Sequence, residues 1–80
     1  ISPNGDGKND VFDLTLHKVA ALHIFNRYGL EVFSQANYTT QWYGQSSKGD
    51  TLPDGTYFYS MQKDNGINVT GWVYVNRQNR

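Results

Sequence analysis

The chain has 80 residues, of which 15% are aromatic, with seven basic and seven acidic side chains and no cysteine. A formal net charge of zero gives no long-range field that would attract nucleic acid or anionic lipid, so we expect neither as a partner. No segment approaches the roughly 18 apolar residues of a membrane span, and without disulfides the domain must rely on its core or on a metal.

A loop dense in glycine and oxygen-bearing side chains follows Ile1, over residues 2–10. Calcium takes about six to eight oxygen ligands, which such loops place at alternating positions around a glycine. The candidate ligands in this register are Ser2, Asn4, Asp6, the Lys8 carbonyl, Asp10 and Asp13. The interpretation that we favour is structural: the Asn and Asp side chains bond their own backbone in successive Asx turns.

Alternation of apolar and polar residues predicts a first strand after this loop. Phe12, Leu14 and Leu16 would share one face of it, with Asp13 on the other. A helix over residues 15–22 is the alternative, because the sequence around Val19 tolerates one.

A hairpin is predicted next. Residues 21–27 alternate, with Leu22 and Ile24 on the same face. Gly29 can then adopt positive φ in a turn, after which Leu30 opens a returning strand.

The second half of the chain predicts another hairpin after a polar, irregular segment at 34–51. Leu-Pro-Asp-Gly at 52–55 is typical of a type I turn, and strands at 56–63 and 67–76 flank an Asp-Asn-Gly turn. Roughly six or seven short strands indicate an all-β antiparallel sandwich, with a small closed barrel as the alternative.

Several blocks of sequence, taken in order, resemble a known family. They are Ser-Pro-Asn-Gly-Asp-Gly-Lys-Asn-Asp at 2–10, Ile-Phe-Asn-Arg-Tyr-Gly at 24–29, Trp-Tyr-Gly at 42–44, Leu-Pro-Asp-Gly-Thr-Tyr-Phe-Tyr at 52–59 and Gly-Trp-Val at 71–73. Together they resemble the gliding motility-associated C-terminal domain, the type B sorting domain of the type IX secretion system in Bacteroidota. The signature turns of that family fall on Asn4, Asp6, Gly7, Asp10, Arg27, Gly29, Pro53, Asp54 and Gly55.

The resemblance implies an Ig-like sandwich that serves as a secretion address. It implies a domain at the end of a larger cell-surface protein, often an adhesin, recognised by the outer-membrane translocon and an SprF-like partner. Since the chain starts with Ile1 and shows no targeting segment, we interpret residues 1–80 as one monomeric domain cut from a longer exported protein. Tyr28 and Tyr43 depart from the family, which usually has Trp and Asp there.

Catalysis is not expected from the residues, and the resemblance implies none. A nucleophile needs a base within hydrogen-bond reach that a third group orients, and no such arrangement is indicated. His17 and His23 are the only bases near neutral pH, and both are expected to have surface or edge roles.

Aromatic residues suggest an alternative function, a carbohydrate-binding or calcium-stabilised adhesion module. Trp72 and Tyr74 share a strand face, to which Tyr57, Tyr59 and Trp42 could add a sugar-stacking platform. The competing interpretation is that most of these rings fill the core, because the chain has little Leu.

The last segment, residues 71–80, is the predicted recognition element for the secretion partner. An edge strand offers backbone groups to which a partner can add a strand, and exposed turns supply further contacts. The candidate residues are Gly71, Trp72, Val73, Tyr74, Val75 and Arg77.

Overall fold

Four antiparallel strands form one sheet in the computed structural model, which describes residues 1–2 and 10–77. The strands are β1 (Val19–Phe25), β2 (Glu31–Ala36), β3 (Gly55–Lys63) and β4 (Asn68–Val75), and a 3-10 turn at Thr15–His17 precedes them. Their order across the sheet is β2-β1-β3-β4. The all-β prediction is confirmed. In the described residues no helix is long and apolar enough to cross a membrane.

Both predicted hairpins are present. In the β1–β2 turn, Gly29 has φ of 84° and its N–H donates to the Asn26 carbonyl at 3.0 Å. The Asn26 side chain accepts two further backbone N–H groups, which fixes the turn locally. In the β3–β4 turn, Gly66 has φ of 86° and donates to the Lys63 carbonyl at 2.9 Å. Glycine reaches this left-handed region without the steric cost that other residues meet.

One face of the sheet forms the core. Strand side chains alternate between faces, so residues of one parity in each strand turn inward. The buried members are Leu22 and Ile24 in β1, Phe33 in β2, Tyr57 and Met61 in β3, and Val73 and Val75 in β4. Val19 of β1 is buried as well, and it breaks the alternation because the register with β3 shifts between Val19 and Ala21. The shared face predicted for Leu22 and Ile24 in β1 and that predicted for Trp72 and Tyr74 in β4 are therefore confirmed.

An irregular layer from the segment between β2 and β3 covers this face. Tyr38 and Trp42 supply its fully buried rings, and the Trp42 ring lies 5.7 Å from that of Tyr57. Side chains satisfy much of its backbone: the Gln41 Oε1 accepts the N–H groups of Thr39 and Thr40. This layer needs no strand ladder, because its own side chains and the segment around Phe12 and Leu14 provide its hydrogen bonds.

The predicted sandwich differs from this arrangement. The described residues form four strands in one open sheet, where the pattern predicted roughly six or seven strands in two sheets. The closed barrel is not supported either. The physical reason is that large aromatic side chains on a polar loop take the place of a second sheet.

The strand predicted around Phe12, Leu14 and Leu16 is wrong. Phe12 and Leu14 do pack inward, and their N–H groups donate to the carbonyls of Trp42 and Thr39, each at 2.9 Å. Leu16 is 93% exposed instead of sharing their face.

A local hydrogen bond explains that error. The Asp13 carboxylate accepts the backbone N–H of Thr15 at 3.0 Å and its hydroxyl at 2.6 Å, which turns the chain into the short 3-10 turn. Lys18, at φ of 52°, then redirects the backbone into β1. The alternative, a helix over residues 15–22, is therefore limited to the short 3-10 turn at Thr15–His17.

Candidate recognition surface

A row of aromatic side chains crosses the outer face of the sheet, opposite the core. Phe25, Phe58 and Trp72 are register partners on β1, β3 and β4. Their ring centroids are 6.1 Å and 5.1 Å apart, within the range of favourable cross-strand aromatic pairs. Trp72 is 65% exposed and Tyr74, next along that face, is 56% exposed. We call these four residues the outer aromatic row.

The sugar-stacking platform predicted from the sequence does not form as a unit. Trp42 and Tyr57 are buried in the core, and Tyr59 packs against it. These rings therefore lie on the side of the sheet opposite to Trp72 and Tyr74, which remain as an exposed pair.

Two of the signature turns, those with Arg27 and with residues 53–55, meet at one end of the sheet. A groove of about 290 Å³ lies between the β1–β2 turn and the segment that leads into β3, and Arg27, Pro53, Asp54 and Gly55 line it. The Arg27 guanidinium lies 5.0 Å from the Tyr28 ring centroid and donates to the Tyr28 hydroxyl at 2.9 Å. The type I turn predicted at residues 52–55 is replaced by a bend at Asp54.

Arg77 fastens the end of β4 to two loops. Its guanidinium donates to the carbonyls of Leu52 and Gly44 at 2.6 Å and 2.9 Å and to the Asp54 carboxylate at 2.8 Å. The backbone N–H of Arg77 donates to the same carboxylate at 3.0 Å. This hydrogen bond is the main reason why the pKa of Asp54 is lowered. Gly44, at φ of 95°, leaves no room for a Cβ beside the guanidinium. We call this set of bonds the Arg77 clasp.

The predicted recognition residues divide by the side of β4 on which they lie. Val73 and Val75 are core residues. Gly71 faces the Tyr59 ring so closely that an added Cβ would lie 2.8 Å from its Cζ atom. Trp72 and Tyr74 are the members that present exposed side chains.

A family model, that of the CHU_C type IX secretion signal domain, matches residues 1–75. The chain belongs to this family. The family resemblance indicated by the sequence is confirmed, and a type IX secretion signal implies handling by that secretion system and export across the outer membrane. Domains that act as secretion signals are typically non-catalytic. No curated protein and no solved structure is found to match the chain.

The predicted calcium loop of this secretion signal domain lies largely outside the described residues. That holds for Asn4, Asp6 and Lys8, and for the signature residue Gly7. Asp13 has a local role, since bonds from the Thr15 hydroxyl and N–H lower its pKa. Within residues 1–2 and 10–77 no three His, Asp or Glu side chains group as metal ligands, and calcium binding stays a prediction.

The two histidines of the secretion signal domain lie at its surface. The His23 Nδ1 lies 2.8 Å from the Glu31 Oε1, and both side chains are nearly half exposed. Such an exposed pair contributes about 0–1 kcal/mol to stability. His17 ends the 3-10 turn in an exposed position.

Sequence reasoning missed Tyr38, which organises the layer over the core. Its hydroxyl donates to the Phe12 carbonyl at 2.6 Å and accepts the Trp42 N–H at 3.0 Å. Burial raises the Tyr38 pKa to about 12. The sequence offered one signal, an aromatic residue close before Trp42 in a polar segment, but an irregular loop has no periodicity that says which side chain turns inward.

Tyr38 is expected to make the domain sensitive to alkaline pH. Its folded pKa of about 12 exceeds the value of about 10 for free tyrosine, so its contribution is complete below pH about 10 and is lost as pH rises to about 12. Thermal midpoints measured from pH 8 to about 12 should fall steeply in this window, and Tyr38→Phe should flatten the fall while lowering the midpoint at pH 8. The exposed Tyr43→Phe is the control, and equal pH profiles for all three proteins would contradict the assignment.

Proposed function

We propose that this domain is the C-terminal sorting signal of a larger cell-surface protein, such as a gliding adhesin, and has no catalytic role. The family match over residues 1–75 carries the proposal. The partners that we propose are the type IX translocon and an SprF-like outer-membrane protein.

The proposed contact surface joins the outer aromatic row to the β1–β2 turn. Arg27 and Trp72 line the same hollow on the outer face, together with Phe25 and Phe58. Trp and Arg are the residues that most often dominate the binding energy of protein interfaces. Arg27 is exposed and Trp72 is 65% exposed, so a partner can reach both without unfolding the domain.

Val73, Val75, Gly71 and Arg77 are assigned an indirect role in this proposal. They hold β4 in place through the core, through the close contact with Tyr59 and through the Arg77 clasp. Their substitution would impair recognition by loosening the strand that presents Trp72.

A reporter fusion tests the proposal. Residues 1–80 joined to the end of a passive reporter should direct its export in a host that carries the secretion system, and a host without the translocon should retain it. Trp72→Ala should reduce export while leaving the fold intact by circular dichroism. The matched control is Leu16→Ala, a 93% exposed apolar residue outside the proposed surface, which should be exported normally. Retention of the unmodified fusion would refute the proposal.

A further inference from the structure

Ile1 lies against the outer edge of β4. Its nitrogen donates to the Tyr74 carbonyl, and its carbonyl accepts the Asn76 N–H at 2.9 Å. Ile1 thus bonds to both neighbours of Val75, through its nitrogen to Tyr74 and through its carbonyl to Asn76. This is the hydrogen-bond pattern of a parallel strand pair, with Ile1 opposite Val75. The Ile1 side chain also packs against the core. Ile1 is therefore placed as one residue of a parallel strand beside β4.

The rest of the β4 edge continues this geometry. The β3–β4 register runs without a shift, so the backbone groups of alternate β4 residues point away from β3. The Tyr74 carbonyl points away from β3 and bonds to Ile1. The backbone N–H and carbonyl groups of Trp72 and Thr70 therefore also point away from β3. Among residues 1–2 and 10–77, Ile1 is the only residue outside the strands whose backbone bonds this edge.

We propose that the outer edge of β4 accepts an extended polypeptide joined to the Ile1 nitrogen, as a further strand parallel to β4. This rests on the proposed function in one respect: the segment is the connection to the cargo. The second residue before Ile1 would then lie opposite Val73, donate its N–H to the Trp72 carbonyl and accept the Tyr74 N–H.

The geometry also sets the chemistry of this segment. Ile1 turns its side chain to the core side, so the second and fourth residues before it turn the same way and should be apolar. Their N–H groups donate to β4, which excludes proline at both positions. The residues between them direct their N–H groups away from β4, and proline is acceptable there.

Amide hydrogen exchange on the isolated protein tests the inference. A chain extended by Val-Thr-Val-Thr before Ile1 should slow exchange of the Tyr74 and Trp72 amides by about tenfold or more relative to residues 1–80, because each gains an acceptor. The Val73 amide, which points to β3, is the internal reference and should change much less.

A matched extension, Pro-Thr-Pro-Thr, lacks the two donor N–H groups and should leave the exchange of Tyr74 and Trp72 at the level of residues 1–80. Equal exchange in all three proteins would overturn the inference, as would interstrand proton contacts of antiparallel type. The measurement involves no export, so its outcome is independent of the reporter experiment.

Discussion

Replacing Trp42 by alanine is expected to remove a large part of the stability of the domain, roughly half. The side chain is fully buried, and its indole N–H donates to the Gln45 carbonyl at 2.7 Å. Its ring contacts those of Phe12, Phe33 and Tyr57. Truncation of such a residue costs about 3–5 kcal/mol, whereas a domain of this size has a total stability of about 4–12 kcal/mol.

Urea denaturation followed by circular dichroism measures this loss. The matched control is Trp72→Ala, the same substitution at a residue that is 65% exposed, and it should cost about 1 kcal/mol from its contact with Phe58. Equal losses for the two variants would show that the Trp42 layer is not the principal cover of the core.

Loss of the Arg77 clasp should lower the free energy of unfolding by about 2–3 kcal/mol, mainly through the hydrogen bonds to the two loop carbonyls. The ion pair with Asp54 adds little, because solvent screens that carboxylate. Arg77→Ala leaves the Leu52 carbonyl without its guanidinium donor, and the Gly44 carbonyl keeps only the N–H of Leu52. Arg77→Lys should recover little of the loss, because one ammonium group cannot reproduce the planar fork that meets three acceptors at once.

Thermal and urea unfolding compare these variants with Arg27→Ala, which removes an exposed arginine that contacts the neighbouring Tyr28 ring and hydroxyl. That control should change stability by less than about 0.5 kcal/mol. Full stability of Arg77→Lys would mean that the positive charge, and not the geometry of the fork, holds the loops.

The sequence predicted the sheet best where pattern and turn chemistry agree. Leu22 and Ile24 alternate in β1, and Gly29 and Gly66 close turns that only a few residue types permit. At Phe12 and Leu14 the pattern gave the correct inward direction but the wrong structure. Inward alternation does not by itself provide a ladder partner, and the bond between Asp13 and Thr15 ends the extended segment.

The recognition surface was only partly predictable, because contacts distant in sequence assemble it. The exposure of Trp72 and Tyr74 follows from the parity of β4, which is local information. The clasp joins Arg77 to Gly44, 33 residues away, through carbonyl groups that every residue has. No side-chain pattern marks which carbonyl a guanidinium will reach, so Arg77 was assigned to the partner although its donors are used within the domain.

The contact between Ile1 and Tyr74 spans 73 residues, nearly the whole chain. A polypeptide is made one residue at a time, and this contact joins Ile1 to a residue that is made 73 positions later. Closing so long a loop is entropically costly and slows folding. Because Ile1 bonds to the backbone of Tyr74 and Asn76, it can dock only after this end of β4 has been made and has joined the sheet.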